Sequence, residues 1–264
     1  MKLKTEMKNE YRFVSENNQH LHQILVDGEW KNLTGCTTVL SVIAKPALIQ
    51  WAANMAVDYV ENNSVIIDRL GIDSLPERVY EIEISKLEEA RKAHTKRKEK
   101  AGDYGTKTHE EIEKIIKGAI DVFEGKIPKY TLPDESKSIQ NFRNWAEENN
   151  VKFLESELHV HSKEMFTGGI VDFICEIEGQ VWVGDIKTSG SGIYPEHFAQ
   201  IAGYQLMLNE MGLYPNITGY LVLNLKESGE MLEKRSVSNE DNKKFFLAAL
   251  EIYRQQERLK AQTI

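Results

Sequence analysis

Only two cysteines occur in 264 residues, Cys36 and Cys175, and they lie far apart. Neither has C-x-x-C spacing, so both read as buried thiols rather than metal or disulfide partners. Four thiolates for an iron–sulfur cluster are not there, which excludes that cofactor within one chain. No apolar run approaches the roughly 18 residues that a membrane span requires. Met1 to Arg12 is polar and lacks the apolar stretch of a signal peptide. These absences lead us to expect a cytoplasmic chain with no membrane partner. Excess positive charge is missing too: the net charge is −8. That disfavours a protein that coats nucleic acid through bulk charge. It leaves room for acidic ligands beside a local basic stripe. Internal repeats, low-complexity tracts and clean linkers are also lacking, so residues 1–264 read as a single domain.

The composition is that of an ordinary globular protein, 41% hydrophobic and 28% charged, and the length allows a sizeable core. Short strands are expected over 11–14 and 22–26, with an Asp27-Gly28 hairpin turn. Thr37 to Ile43 is β-branched and reads as a strand or as the start of a helix. Pro46 fits the first turn of a helix over 47–61. Residues 76–101 read as one long charged helix that starts at Pro76 and is broken by Gly102-Asp-Tyr-Gly105. A further helix follows over 106–117 and stops at Gly118. A Pro128/Pro133 linker and a helix over 136–149 come next. Strands are expected over 151–161, 168–176 and 180–188, then a helix over 196–211, a strand over 218–225 and a last helix over 239–260. The fold class is therefore α/β or α+β, with an αβββαβ core and a mixed sheet. Within the single domain, 1–100 is an N-terminal hairpin and helical elaboration, 101–232 the core and 233–264 the C-terminal helix.

The third core strand, Val181-Trp-Val-Gly-Asp-Ile-Lys-Thr, carries Asp185 and Lys187 on one face, because side chains alternate along a strand. A charged pair at the end of an apolar strand is costly to bury without a partner. Taken alone, Asp-x-Lys is better explained as a surface ion pair. In the preceding strand Asp172 interrupts the apolar run Gly168-Gly-Ile-Val-Asp-Phe-Ile-Cys. The first strand carries Glu155 and Glu157 on a common face. Oxygen-rich clusters of this kind suit hard cations such as Mg²⁺ or Mn²⁺. Upstream, Gly105-Thr-Lys-Thr-His109 opens a helix. Downstream, Gln200 and Tyr204 share one helix face at i and i+4. A basic stripe, Arg91, Lys92, Lys96, Arg97, Lys98, Lys100 and Lys107 against Glu99 and Asp103, is either a solvated helix face or a phosphate-binding track.

Taken in order on these elements, Gly-x-x-x-His, Glu, Gly-x-x-Asp, Asp-x-Lys and Gln-x-x-x-Tyr resemble the PD-(D/E)XK nuclease superfamily, in particular its RecB-like exonuclease branch. The resemblance covers about residues 101–226, and Thr37 to Trp51 loosely resembles phage-type members. It implies a restriction-endonuclease-like core and a Mg²⁺- or Mn²⁺-dependent deoxyribonuclease, an exonuclease of recombination, repair or replication, of phage origin. It implies that His109, Asp172 and Asp185 ligate one or two ions, with the Ile186 carbonyl as a further oxygen. Glu157 completes the acidic cluster, with Glu155 as its substitute. Lys187 positions or activates the attacking water. By the same resemblance Gln200 and Tyr204 line the site or touch DNA, and the basic stripe adds Lys107 and Arg97 as expected phosphate contacts beside it. Val171 stands where many members have Pro, and the four cluster cysteines of some members are absent. DNA is the implied partner, and a homo-oligomer or a recombination protein stays open. The competing expectations are a structure-selective endonuclease and a non-catalytic nucleic-acid-binding module.

Overall fold

The computed structural model describes residues 4–8, 10–16, 19–70, 76–127, 136–237 and 239–262. The alternating N-terminal segments form strands, as their pattern predicts. β1 (Lys4–Lys8), β2 (Tyr11–Glu16), β3 (Gln19–Val26) and β4 (Glu29–Asn32) make an antiparallel sheet in that order. Asp27 and Gly28 both have positive φ, +52° and +82°, the primed turn whose twist matches its flanking strands. β5 (Thr34–Gly35) follows. Thr37 to Ile43 resolves as helical rather than strand, in α1 (Cys36–Val39) and a 3-10 turn over Leu40–Val42.

The chain divides into two compact units, Met1–Ile43 with Gly105–Ile264, and Ala44–Tyr104. The elaboration expected over 1–100 is thus itself divided, since its first 43 residues belong with the core. The second unit starts with α2 (Pro46–Asn63), whose proline opens the helix as expected. β6 (Val65–Leu70) and β7 (Pro76–Glu81) then pair antiparallel. This corrects the charged helix expected from Pro76: the proline opens a strand, where its missing N–H is tolerated. α3 (Ile84–Arg91) and α4 (Ala93–Phe123) carry the remaining charged residues. α4 runs without a break through Gly102, Gly105 and Gly118. Each glycine costs roughly 1 kcal/mol in a helix, and a long helix absorbs that.

Pro128 and Pro133 lie outside the described residues. α5 (Lys137–Glu148) begins where the Ser136 side chain accepts a hydrogen bond from the Ile139 N–H. The core strands are β8 (Lys152–Ser162), β9 (Thr167–Ile177) and β10 (Gln180–Lys187). α6 (Pro195–Glu210), β11 (Ile217–Leu225), β12 (Met231–Ser236) and α7 (Asn239–Gln262) complete the chain. Residues 233–236 therefore belong to a strand, not to the C-terminal helix. The expected α+β class and mixed sheet are present: β10 pairs antiparallel with β9 and parallel with β11. α6 is the crossover that a parallel pair needs.

Period-two alternation assigns side chains to two cores. Val183 and Val222 join α6 and α7 through Ile201, Met207, Leu208, Phe246 and Leu250. Trp182, Ile186, Leu221 and Leu223 face the opposite way, against Ile112 and Ile116 of α4 and Ile139, Phe142 and Trp145 of α5. Both cysteines are buried, as expected, and burial pushes the Cys175 thiol up to about 12. Among the described residues no single helix is long and apolar enough to cross a membrane.

Candidate active site

The site begins where one edge of β9 is left open. β8 pairs with β9 from Thr167 to Glu176 and so occupies one edge along its length. On the other edge β10 covers β9 only as far as the pair Gly184↔Phe173. At its far end β5 takes the same edge, with Thr34↔Thr167 and Gly35↔Gly168. Between these contacts the edge from Gly169 to Asp172 faces a fork. At the crotch, the Asp172 carboxylate replaces a strand carbonyl, and its Oδ2 accepts a hydrogen bond from the Ile186 N–H at 2.6 Å. Continuing the register would place Asp185 opposite Asp172.

β8 adds Glu157. Its neighbours pair Ser156↔Phe173 and Leu158↔Val171, so Glu157 stands opposite Asp172. Its φ is +51°, a left-handed conformation that costs a non-glycine residue roughly 1–2 kcal/mol. Strain of this size is kept where surrounding contacts over-determine it, and it clusters at functional sites. Glu155 takes a different course and accepts a hydrogen bond from the Tyr214 hydroxyl at 2.8 Å. Glu157, not its substitute, therefore completes the cluster. His109 comes from α4, with Nδ1 3.8 Å from Asp172 Oδ2. The reason for Gly105, one turn earlier, is also visible. A Cβ there would meet Thr188 Oγ1 at 2.9 Å, so only glycine leaves this approach to the end of β10 unobstructed.

His109, Glu157 and Asp172 each offer a ligand atom within 4.8 Å of the other two, and all three are half-buried. Two ligands on opposite sides of one Mg²⁺ span about 4.2 Å, so a small closure would suffice. An imidazole with two carboxylates suits Mn²⁺ and, through its oxygens, Mg²⁺. Asp185 is not in that triad. It is 1% exposed and pairs with Lys187, whose Nζ lies 2.9 Å from Oδ1 and 2.7 Å from Oδ2. Only the Oδ1 contact has hydrogen-bond geometry, which leaves Oδ2 a buried acceptor without a hydrogen-bond donor. A buried carboxylate oxygen that is ion-paired but accepts no hydrogen bond, beside such a triad, fits a cation ligand. The residues present therefore fit a divalent metal.

Burial pushes the Asp185 carboxyl up; Lys187 opposes this and Asp172 adds to it, with a net rise. Burial pulls the Lys187 ammonium down, but Asp185 and Asp172 outweigh it and the net direction is up. Lys187 is thus an ammonium at neutral pH. Its Nζ also donates to Gln200 Oε1 at 3.2 Å, and Gln200 Nε2 donates to the Tyr204 hydroxyl at 2.7 Å. Gln200 and Tyr204 are both buried, so they steady Lys187 from behind. Lys107 is exposed, with Glu111 3.7 Å away. Arg97 and the charged residues of the stripe from Arg91 to Lys100 are exposed and belong to the second unit.

Asn224 was not foreseen. It pairs in register with Lys187, is fully buried, and its Nδ2 donates to the Ser191 carbonyl at 2.6 Å. It thereby ties down the loop between β10 and α6. An asparagine inside the apolar strand Ile217–Leu225 was the available signal. His197 is a second addition, close enough to lower the Asp185 carboxyl by its charge.

No known family model matches the chain, and no curated protein sequence does. Solved structures do match, among them that of SSO0001, at 13% identity over 44% of this chain and 56% of that one. The TM-score of 0.26 is too low to carry an argument.

Proposed function

We propose that this chain is a divalent-metal-dependent deoxyribonuclease. The observation that carries the reading is the convergence of His109, Glu157 and Asp172 beside the buried Asp185–Lys187 pair, at the fork between β9 and β10. The resemblance to RecB-like PD-(D/E)XK nucleases, drawn from the order of these residues in the sequence, supports it. It also extends the proposal to an exonuclease of recombination, repair or replication, of phage or host origin; a cytoplasmic location is proposed from the lack of a membrane-spanning run in the sequence.

The triad, Asp185 and the Ile186 carbonyl would hold the metal. A bound Mg²⁺ or Mn²⁺ would offset phosphate charge and lower the pKa of water. The remaining work falls to the protein. Lys187, an ammonium fixed by Asp185 and Gln200, places positive charge where the phosphorane-like transition state accumulates negative charge. It also orients the attacking water. Tyr204 holds Gln200, and Asn224 holds the following loop, so the ammonium is positioned before substrate arrives. Arg97, Lys107 and their neighbours on the stripe would contact phosphates.

The test is degradation of end-labelled single- and double-stranded DNA with Mg²⁺, Mn²⁺ or EDTA. Cleavage with either metal and none with EDTA is expected. Metal-independent cutting, or none under any condition, overturns the reading. A closed circular substrate separates the exonuclease, which leaves it intact, from a structure-selective endonuclease.

A further inference from the structure

The same fork opens on a cavity of about 530 Å³, within the range of about 300–1,000 Å³ usual for ligand pockets. Gly169 and Ile170 on the open edge of β9 line it, with Gly168 where β5 takes that edge, and so does Tyr204. The two glycines are required by close approach. A Cβ on Gly169 would meet Tyr204 Cε1 at 2.5 Å, and one on Gly168 would meet His22 Cβ at 2.6 Å. Tyr253 of α7 lines the cavity too, together with the polar side chains Asn32, Thr34, Thr37 and Thr38. Among the described lining residues there is no Lys, Arg, Asp or Glu. Ile170 is two residues from Asp172, about 6.6 Å along a strand. Tyr204 is joined through Gln200 to Lys187.

We propose that this cavity receives one unstacked nucleobase of the strand being cut, a nucleotide next to the scissile phosphate. The inference rests on the nuclease reading and adds the substrate's form to it. A base is neutral, flat and edged with donors and acceptors, which matches tyrosine rings beside hydroxyl and amide groups. A phosphate would meet no lysine or arginine among the described lining residues. A base inside a duplex has both faces covered, so only an unpaired or frayed strand presents one. Threonine hydroxyls donate or accept as required, so the pocket tolerates all four bases.

The test uses Lys187→Ala protein, which is expected to bind without cutting, in Ca²⁺ buffer. Its affinity is measured for a set of single-stranded oligodeoxynucleotides, each with one abasic position. Stacking on an aromatic side chain predicts roughly tenfold weaker binding when one particular position is abasic. It also predicts that Tyr253→Ala removes this difference and that Tyr253→Phe keeps it, which controls for folding. An abasic series with flat affinity, while wild type still degrades DNA, overturns the pocket and leaves the nuclease reading intact. Dependence on a terminal phosphate instead of a base also overturns it. No binding to any oligonucleotide, together with no cleavage by wild type, overturns both.

Discussion

The two halves of β9 differ sharply. From Phe173 to Ile177 the strand is enclosed between β8 and β10, and Phe173, Ile174, Cys175 and Ile177 are buried in apolar cores. From Gly169 to Asp172 one edge opens on the fork, where Asp172 bonds a backbone N–H and Gly169 and Ile170 line a cavity. The closed half is stabilised by burial and the open half is held in shape by it. The candidate site sits where the ladder stops, because there a carboxylate, a lysine and solvent can share one place without breaking strand hydrogen bonds.

The largest expected effect comes from damaging the closed half. Phe142 is fully buried against Phe153 and Trp145 in the core beneath that half. Phe142→Ala should cost about 3–5 kcal/mol of stability in denaturant titration. A loss under 1 kcal/mol would mean that the helical layer does not brace the sheet. Next, Asp185→Asn removes the negative charge that fixes Lys187 and turns one of its two oxygens into an amide donor. Cleavage should fall about 10²–10³-fold, the size seen for loss of one preorganised electrostatic partner, with weaker metal binding by calorimetry. Melting temperature should hardly change, which sets this variant apart from the first.

Gly169→Ala sharpens the comparison further. The new methyl displaces Tyr204, and through Gln200 it shifts Lys187. A fall in turnover of up to roughly 10²-fold is expected from such misplacement, at nearly unchanged metal affinity. Unchanged turnover would show that Tyr204 does not steady the lysine. The smallest effect concerns the basic stripe that runs from the end of α3 into α4. Replacing Lys92, Lys98 and Lys100 by Glu should flatten the salt dependence of DNA binding by up to about three units of slope. An identical slope returns the stripe to a solvated helix face.

Much of the core was legible in the sequence because alternation is strong from Val151 to Lys187. Asp172 and Asp185 stood out there as charges in apolar strands. What stayed hidden depended on backbone geometry. Glu155 and Glu157 have the same period, so only the positive φ at Glu157 and the Tyr214 contact to Glu155 separate them. The fork is equally silent, since it is set by where the β9–β10 ladder ends and β5 begins. The strand at Pro76 was read as helix because Glu and Arg dominate its surroundings. α4 was read as broken because isolated glycines look alike whether a helix stops or continues through them.

The claim that metal binding and cleavage are separate tasks of neighbouring residues is tested most directly by Lys187→Ala. Mn²⁺ binding is followed by electron paramagnetic resonance, and cleavage of end-labelled DNA is followed in the same preparation. Retained Mn²⁺ binding with cleavage lowered about 10²–10³-fold is the expected result. Undiminished cleavage by this variant contradicts the account.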